Sequence, residues 1–192
     1  MRVFMDIEAS GLTGDSYPIE IAWVFEDGSG AESHLIQPAP GWTAWTESAE
    51  QAHGIKRATL LARGEPVDAV ARRAVAALSG HDLYASSPEW DGKWLSDLLE
   101  AGGFPREFLS LRDTEVAQAE AVAETLGIDL ATAPRDPGEE LPTAVETVMV
   151  MASMQERRPH HHRALDDAEE ERLRWITVRE VAEKQKDWMA GY

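Results

Sequence analysis

The chain has 192 residues, of which 43% are hydrophobic and 28% charged, so one folded soluble domain over residues 1–192 is expected and wholesale disorder is excluded. It contains no cysteine, which excludes disulfides and thiolate metal sites. The 18 Lys and Arg residues against 35 Asp and Glu give a net charge of −17, which argues against tight non-specific binding to a nucleic-acid duplex. No secretory signal and no apolar run of about 18 residues are found, so the sequence predicts a cytoplasmic protein without a membrane span.

The first predicted strand contains two acids in an otherwise apolar run. Residues 2–8 read Arg-Val-Phe-Met-Asp-Ile-Glu, and alternate residues of a strand project from the same face, so Asp6 and Glu8 lie side by side. Two unpaired acids next to a core are unfavourable unless a proton or a cation compensates their charge, and a divalent metal ion is one such cation. The alternative interpretation is an exposed edge strand on which both acids face water.

The segments that follow predict a mixed α/β fold. Two further strands, 19–25 and 32–37, complete an antiparallel meander. Helices are then predicted at 48–52, 58–62, 66–78, 91–100, 114–126, 143–155 and 164–189, with short strands at 83–86 and 108–112. This order predicts one mixed five-stranded sheet with helices on both faces, and residues 127–142 predict a surface loop.

Two later places concentrate groups that can do chemistry. Asp91 opens a helix just beyond the fourth strand, where the helix dipole alone would favour an acid. Residues 159–168 read Pro-His-His-His-Arg-Ala-Leu-Asp-Asp-Ala, and residues five apart on a helix lie about 140° apart. His162 must therefore lie on the loop before the helix if it is to meet Asp167 at one site. A solvated loop histidine is the ordinary alternative.

Other polar and aromatic residues have simpler interpretations. The acids at 169–171 are interpreted as part of a solvated helix face. Trp175 and Trp188 in the last helix are compatible with a homodimer and equally with a packed monomer. Four further tryptophans are expected mostly in the core, with stacking against nucleic-acid bases as the alternative: Trp42, Trp45, Trp90 and Trp94.

Taken together, these motifs resemble the DEDDh group of 3′ to 5′ exonucleases, which have a ribonuclease H-like fold. The stretches that carry the resemblance are Asp6-Ile7-Glu8-Ala9-Ser10-Gly11-Leu12 with Pro18-Ile19-Glu20-Ile21-Ala22, then Tyr84-Ala85-Ser86-Ser87-Pro88-Glu89-Trp90-Asp91, then His162-Arg163-Ala164-Leu165-Asp166-Asp167-Ala168. A lone Asp-x-Glu is a weak signal, whereas this ordered set spans residues 2–175 and is specific. The turn His53-Gly54-Ile55 is similar to a further recurrent feature of the family.

The resemblance implies a phosphodiester hydrolase with two divalent ions per site. It implies that Asp6, Glu8 and Asp167 hold one ion, that Asp6 is shared with the second, and that Asp91 supports the second ion directly or through water. Carboxylate oxygens favour Mg²⁺ or Mn²⁺. His162 would be the general base that takes a proton from the attacking water, because an imidazole changes its protonation state near neutral pH.

The implied substrate is the 3′ end of a short or single-stranded RNA or DNA, released as nucleoside 5′-monophosphates. The residues implied to receive the terminal nucleotide are Ala9, Ser10, Gly11, Leu12 and His53. Cations near the expected cleft are few, which favours short substrates over a long duplex: Lys56, Arg57, Arg157, Arg158 and Arg163.

Some alternatives stay open at the level of sequence. Asp166 adjoins Asp167, and the family spacing selects Asp167 as the ligand. Oligoribonuclease-like, ribonuclease T-like and DNA-trimming roles all fit the sequence. A second class of function is a non-catalytic nucleic-acid or protein binding module that keeps the exonuclease fold.

Overall fold

A computed structural model of the chain describes residues 1–129, 143–154 and 162–190. The strands, β1 to β6 in chain order, span Arg2–Ala9, Pro18–Phe25, Ala31–Gln37, Glu65–Pro66, Asp82–Ala85 and Leu111–Asp113. The helices of this part of the chain, α1 to α7, span Glu47–His53, Arg57–Arg63, Val67–Leu78, Pro88–Ala101, Thr114–Leu126, Thr143–Ser153 and Ala164–Ala190. These bounds agree with the predicted ones to within a few residues, and most of the predicted loop 127–142 lies outside the described residues.

The strands form one mixed sheet in the order β4-β3-β2-β1-β5-β6. The pairs β1–β2 and β2–β3 are antiparallel, whereas β1–β5 and β5–β6 are parallel, as a meander followed by crossovers requires. The predicted count of five strands is wrong, because Glu65 and Pro66 add a sixth beside Ile36 and Gln37. A two-residue strand is too short to show any alternation, and the sequence predicts Pro66 in helix α3, which begins at Val67 instead.

Strand β1 separates two cores, so helices cover both faces of the sheet as predicted. Val3, Met5 and Ile7 point into the larger core, which is closed by buried residues of α3 and α4. Phe4 points the other way, toward α5 and α7, where its ring lies 5.8 Å from that of Trp175 between centroids. Because side chains alternate along a strand, Asp6 and Glu8 share the face of Phe4 and are directed toward α7.

The sheet opens beside these two acids. Strands β1 and β5 pair only where Arg2 to Phe4 lies opposite Asp82 to Tyr84. Beyond Phe4 no pairing between these two strands continues, and α4 packs against β1. In open α/β sheets, ligand sites form at the carboxyl ends of neighbouring strands where the crossovers diverge. The fold therefore places Asp6 and Glu8 at such a position.

The long helix α7 packs against β1 and β2. It carries both tryptophans on which the homodimer expectation depends, and its packing within the monomer explains the burial of one of them. Trp175 is only 3% exposed within the monomer, whereas Trp188 is 61% exposed. The homodimer stays a prediction. Among the described residues, no helix combines the length and the hydropathy needed to span a membrane.

Gly64 ends α2 where that helix meets β3, and this close approach can be tested. A Cβ at this position would lie 2.5 Å from the carbonyl oxygen of Leu60 and 2.6 Å from the backbone nitrogen of Gln37. Neither backbone atom can move aside cheaply. We expect Gly64→Ala to lower the free energy of unfolding, measured by chemical denaturation, by about 1–3 kcal/mol.

Gly14→Ala is the matched control, because no atom lies within 4 Å of its Cβ position. It should change the free energy of unfolding by less than about 0.5 kcal/mol. Equal stability of the two variants would contradict the packing of α2 on β3.

Candidate metal centre and adjoining pocket

Three carboxylates converge on one face of β1. Asp6, Glu8 and Asp167 each place a carboxylate oxygen within 4.8 Å of the others, and all three residues are partly buried. The strand supplies the first two, and Asp167 lies in the first turn of α7, which packs over that face. The neighbouring Asp166 is exposed and does not belong to this group. The packing of α7 on β1 thus places Asp167, the aspartate selected by the family spacing, next to Asp6 and Glu8.

The electrostatics of this group are those of crowded acids. Burial is the main reason that the pKa of Asp6 is raised well above its usual range, and nearby acids raise it further: Asp91, Glu8, Asp167 and Glu171. Burial also raises the pKa of Glu8 to about 7, with Asp167 and Glu20 adding to the rise and Arg163 opposing it. The described side chains therefore leave an excess of negative charge here. Carboxylate oxygens under these conditions fit a hard divalent cation such as Mg²⁺ or Mn²⁺.

Asp91 reaches the same strand from the opposite helical layer. It lies in the first turn of α4, is 2% exposed, and its carboxyl group is close enough to the backbone of Ile7, the residue between the two strand acids, for that backbone to affect its pKa. Burial raises its pKa to about 7, although the backbone of Ile7 and of Ser87 opposes that rise. Asp91 makes the largest Coulombic contribution to the raised pKa of Asp6. It adjoins Asp6 without belonging to the three-carboxylate group.

His162 lies off the helix, as the helical geometry predicts for a residue that shares a site with Asp167. It precedes α7 by two residues, is exposed, and borders the pocket described below. Its φ of 49° is in the left-handed region, which residues other than glycine seldom adopt. Neighbouring contacts must therefore hold this backbone in place. The preceding histidines, His160 and His161, lie outside the described residues.

A pocket of about 460 Å³ adjoins the three carboxylates. The end of β1, the loop after it, α1 and α4 line it: Ile7, Glu8, Ala9, Gly11, Leu12, Thr13, Thr46, Ser48, Ala49, Ala52, His53, Trp94 and His162. Glu8 thus belongs to both the pocket and the carboxylate site, and His162 borders the same pocket. Leu12 is 71% exposed, which leaves an apolar side chain free to contact a ligand. Four of the five residues predicted to contact substrate line this pocket.

The fifth, Ser10, is not among the lining residues and is 1% exposed. Its N–H donates to the carbonyl of Tyr17 (3.0 Å), and its hydroxyl accepts from the N–H of Tyr17 (3.1 Å). Its carbonyl accepts from the N–H of Thr46 at 2.9 Å. Gly11 next to it has no room for a side chain, because a Cβ would lie 2.8 Å from Thr46 Cγ2. Ser10 therefore ties the end of β1 to the start of α1 and supports the pocket wall.

His53 presents a neutral ring to this wall. Its Nδ1 accepts a hydrogen bond from the N–H of Ile55 at 3.0 Å, which places the ring proton on Nε2. Burial lowers the pKa of His53, so the neutral form is favoured. Among the described residues, no acceptor meets hydrogen-bond geometry for the buried Nε2–H, although the backbone of Ala9 is close enough to act against the lowering of the pKa of His53. A ligand acceptor would satisfy this donor.

Of the three predicted cations near the cleft that the structure describes, two bind protein oxygens. Arg163 donates to both carboxylate oxygens of Glu20. Arg57 donates to the hydroxyl of Tyr17 (3.4 Å) and to the carbonyl of Trp42 (3.3 Å). Lys56 is exposed. Arg157 and Arg158 lie outside the described residues.

The tryptophans near the site divide between core and surface. Trp94 is 5% exposed, lines the pocket and stacks on Trp90, with ring centroids 5.5 Å apart. Trp90 is 36% exposed, and Trp42 and Trp45 are partly buried. Trp94 is therefore a core residue as predicted, Trp42 and Trp45 pack against core residues while partly buried, and Trp90 is exposed.

Sequence reasoning missed two parts of this region. Glu170 and Glu171, interpreted as a solvated face, are each 6% exposed and accept hydrogen bonds from Arg174 at 2.7 and 2.5 Å. Glu171 follows Asp167 by four residues, and this helical spacing is a signal that could have placed it on the site face. The small side chains of α1 that line the pocket carry no chemical signal: Ser48, Ala49 and Ala52.

Comparison with known proteins supports the fold. No protein-family model and no curated protein matches this chain. Exonuclease I of E. coli in complex with a dT13 oligonucleotide matches with a TM-score of 0.63 at 14% identity, over 97% of this chain and 42% of that one. The zinc-bound E. coli exonuclease I complex with single-stranded DNA gives 0.59 at 15% identity, over 95% and 39%. Exonuclease I of Methylocaldum szegediense gives 0.62 at 18% identity, over 93% and 40%.

These likenesses confirm the predicted ribonuclease H-like fold. This chain spans about two fifths of the length of each of the three solved structures. At such low identity the shared property is the backbone arrangement, so the chemistry must be argued from the side chains of this chain.

The crowded carboxylates predict an unusual pH dependence. Glu8 and Asp91 have folded-state pKa values of about 7, above the range of an unfolded chain. The folded protein then keeps protons that the unfolded chain has lost, so this contribution to stability is complete at low pH and declines as the pH rises toward about 7. We expect the Tm of the protein in a chelator to fall between about pH 5 and about pH 8.

Mg²⁺ or Mn²⁺ should raise the Tm, and more at the higher pH, because the ions bind the ionised carboxylates. Asp6→Asn should weaken both the pH dependence and the response to metal. Asp68→Asn removes an exposed acid that is paired with Arg72, and should leave both unchanged. A metal response that survives in Asp6→Asn would contradict the site.

Proposed function

We propose that this chain is a metal-dependent 3′ to 5′ exonuclease that releases nucleoside 5′-monophosphates from single-stranded or short nucleic acid. The observation that carries the proposal is the convergence of Asp6, Glu8 and Asp167 beside a pocket bordered by His162. The pocket volume lies within the range usual for small-ligand sites, about 300–1,000 Å³. The likeness to exonuclease I structures that contain single-stranded DNA supports the same function.

The proposed cofactor is a pair of Mg²⁺ or Mn²⁺ ions. Asp6, Glu8 and Asp167 would hold one ion, and Asp6 and Asp91 would serve the second, with Asp91 acting directly or through water. The all-oxygen donor set and the raised pKa values of Glu8 and Asp91 support this assignment. Two bound ions of this kind stabilise the attacking and leaving oxygens of a phosphodiester during in-line displacement.

His162 is the proposed general base. It lies on an exposed loop at the edge of the pocket, within reach of solvent water, and shares the pocket with Glu8. A neutral imidazole at this position takes the proton of the attacking water as the new P–O bond forms. The 3′ oxygen of the preceding nucleotide leaves, and the terminal nucleotide carries away the phosphate.

The terminal nucleotide is proposed to occupy the pocket. Leu12, with most of its apolar surface exposed, packs against the base, and the backbone at Ala9 and Gly11 approaches the nucleotide closely. The Nε2–H of His53 donates to a polar atom of the same nucleotide, which satisfies a donor that has no acceptor among the described residues. Ser10 contributes by supporting this wall from behind.

Short or single-stranded substrates are favoured by the distribution of charge. The chain has a net charge of −17, and two of the cations close to the cleft, Arg57 and Arg163, already bind protein oxygens. Among the described residues near the cleft, few positive groups are therefore available for phosphates beyond the first nucleotides.

The direct test is release of mononucleotides from a 3′-labelled oligonucleotide with Mg²⁺ or Mn²⁺. We expect Asp6→Ala to abolish release, because it removes the carboxylate shared by both ions. We expect His162→Ala to lower kcat by about 10²–10⁴-fold, the usual contribution of a general base. Activity that survives both substitutions would refute the proposal.

A matched pair of variants tests the assignment within α7. Asp167→Asn should abolish release, whereas Asp166→Asn should leave it close to that of the wild type, because Asp166 is exposed and outside the carboxylate group. A wild-type protein that binds oligonucleotides but cleaves none would instead favour the non-catalytic binding module.

The substrate preference has its own test, which compares a short single strand with a long duplex over a range of salt concentrations. We expect faster release from the single strand and a slope of log affinity against log salt shallower than about −2, which corresponds to no more than about three phosphate contacts. Equal rates on the two substrates, or a much steeper slope, would contradict the preference.

A further inference from the structure

Glu20 is a buried acid to which the proposed chemistry assigns no role. It lies in β2 directly opposite Glu8 in the antiparallel pair with β1, and cross-strand partners project from the same face of a sheet. Glu20 therefore faces α7 beside the carboxylate site. Its side chain is only 2% exposed. A buried carboxylate requires partners for both of its oxygens.

Its partners come mainly from the segment that carries the catalytic candidates of α7. Oε1 accepts from Arg163 Nη2 at 2.6 Å and from Ser33 Oγ at 3.1 Å. Oε2 accepts from Arg163 Nε at 3.0 Å and from the backbone N–H of Ala164 at 3.2 Å. Three of the four hydrogen bonds thus bind strand β2 to two consecutive residues at the start of α7.

These hydrogen bonds attach the first residue of α7 and the residue before it to β2. Ala164 is the first residue of the helix, and backbone N–H groups at a helix start have no partner within the helix. The carbonyl of Arg163 accepts the N–H of Asp167 at 3.0 Å. The side chain of Arg163 therefore contacts Glu20, and the backbone carbonyl of Arg163 contacts Asp167. Arg163 thus links the two acids.

The same residue also follows His162 directly. The left-handed backbone of His162, with φ at 49°, is unfavourable for a residue with a side chain unless neighbouring contacts determine it. The two hydrogen bonds from Arg163 to Glu20 are such contacts, one residue away.

We propose that Glu20 is a positioning residue, which through Arg163 and Ala164 sets the places of His162 and Asp167 relative to Asp6 and Glu8. This inference depends on the proposed nuclease function for its consequence in catalysis. Its structural part, the attachment of the α7 start to β2, can be tested without activity.

The central variant is Glu20→Gln, which keeps the shape of the side chain but removes the charge and one acceptor oxygen. At saturating metal, we expect kcat on a short oligonucleotide to fall by about 10–100-fold, the usual effect of losing a partner that orients a metal-site residue, with KM little changed. We also expect faster backbone hydrogen exchange over residues 162–168, measured by mass spectrometry.

Glu32→Gln is the matched control. Glu32 also receives a two-pronged hydrogen bond from an arginine, Arg73, but it lies opposite Trp23 of the larger core, so this pair joins β3 to α3 on the face of the sheet away from α7. It should leave both kcat and the exchange of residues 162–168 as in the wild type.

Arg163→Lys provides a second route to the same test if Glu20→Gln folds poorly. Lysine keeps the positive charge but loses the planar fork, so kcat should fall as in Glu20→Gln. The double variant should be little worse than either single variant, because both remove the same connection. If KM rises in Arg163→Lys but not in Glu20→Gln, and kcat is unchanged in both, Arg163 binds the phosphate of the substrate directly. That result would overturn the inference.

The outcomes separate the inference from the proposed function. If the wild type cleaves oligonucleotides and Glu20→Gln matches it in kcat and in exchange, the inference is wrong and the function stands. If the wild type cleaves nothing, the function is wrong, and the exchange of residues 162–168 in Glu20→Gln still decides whether Glu20 holds the start of α7. Faster exchange spread evenly over the protein, and not concentrated at residues 162–168, would also overturn the inference.

Discussion

The mutual repulsion of carboxylates on one face of β1 is the constraint on which the site depends. Asp6 and Glu8 share that face because side chains alternate along a strand, and α7 adds Asp167 within 4.8 Å. Asp91 adds its charge from the opposite layer and acts most strongly on Asp6. Protons compensate this charge at low pH, as the raised pKa values of Glu8 and Asp91 indicate. As the pH rises through about 7 these protons are lost and a cation becomes the remaining source of compensation, which is why the arrangement suits a divalent metal ion.

Two glutamates on adjacent strands show how a single partner changes the outcome. Glu8 and Glu20 lie directly opposite each other, yet the pKa of Glu8 is raised and that of Glu20 is lowered. Burial acts to raise the pKa of both. Glu20 overcomes it because Arg163 and the N–H of Ala164 hydrogen-bond its carboxylate, whereas the main neighbours of Glu8 are other acids. The carboxylate of Glu20 is therefore neutralised by partners within the protein, whereas that of Glu8 is suited to binding a cation from solution.

Arg163, at the start of α7, is bound to Glu20, and this limits the positive charge that the site can offer to a ligand. Arg163 is adjacent to His162 in sequence, but its guanidinium is directed to Glu20 and fixes the start of α7. The pocket beside it is lined mainly by apolar and small side chains, with His53 contributing a neutral donor. Such a site is suited to a small ligand held by shape and by a few polar contacts, and its described residues supply little of the positive charge that a long duplex requires.

The sequence by itself determined the features that follow from backbone periodicity. The pairing of Asp6 with Glu8 on one face, the position of His162 off the helix, and most helix bounds all follow from repeats of two or 3.6 residues, which local geometry imposes. Only the tertiary structure decided what contacts each face. It buried Glu170 and Glu171, turned Ser10 behind the pocket wall, and joined Glu20 to the start of α7. Those outcomes depend on partners far away in the chain, and residue type and local spacing alone do not determine which partner a side chain meets.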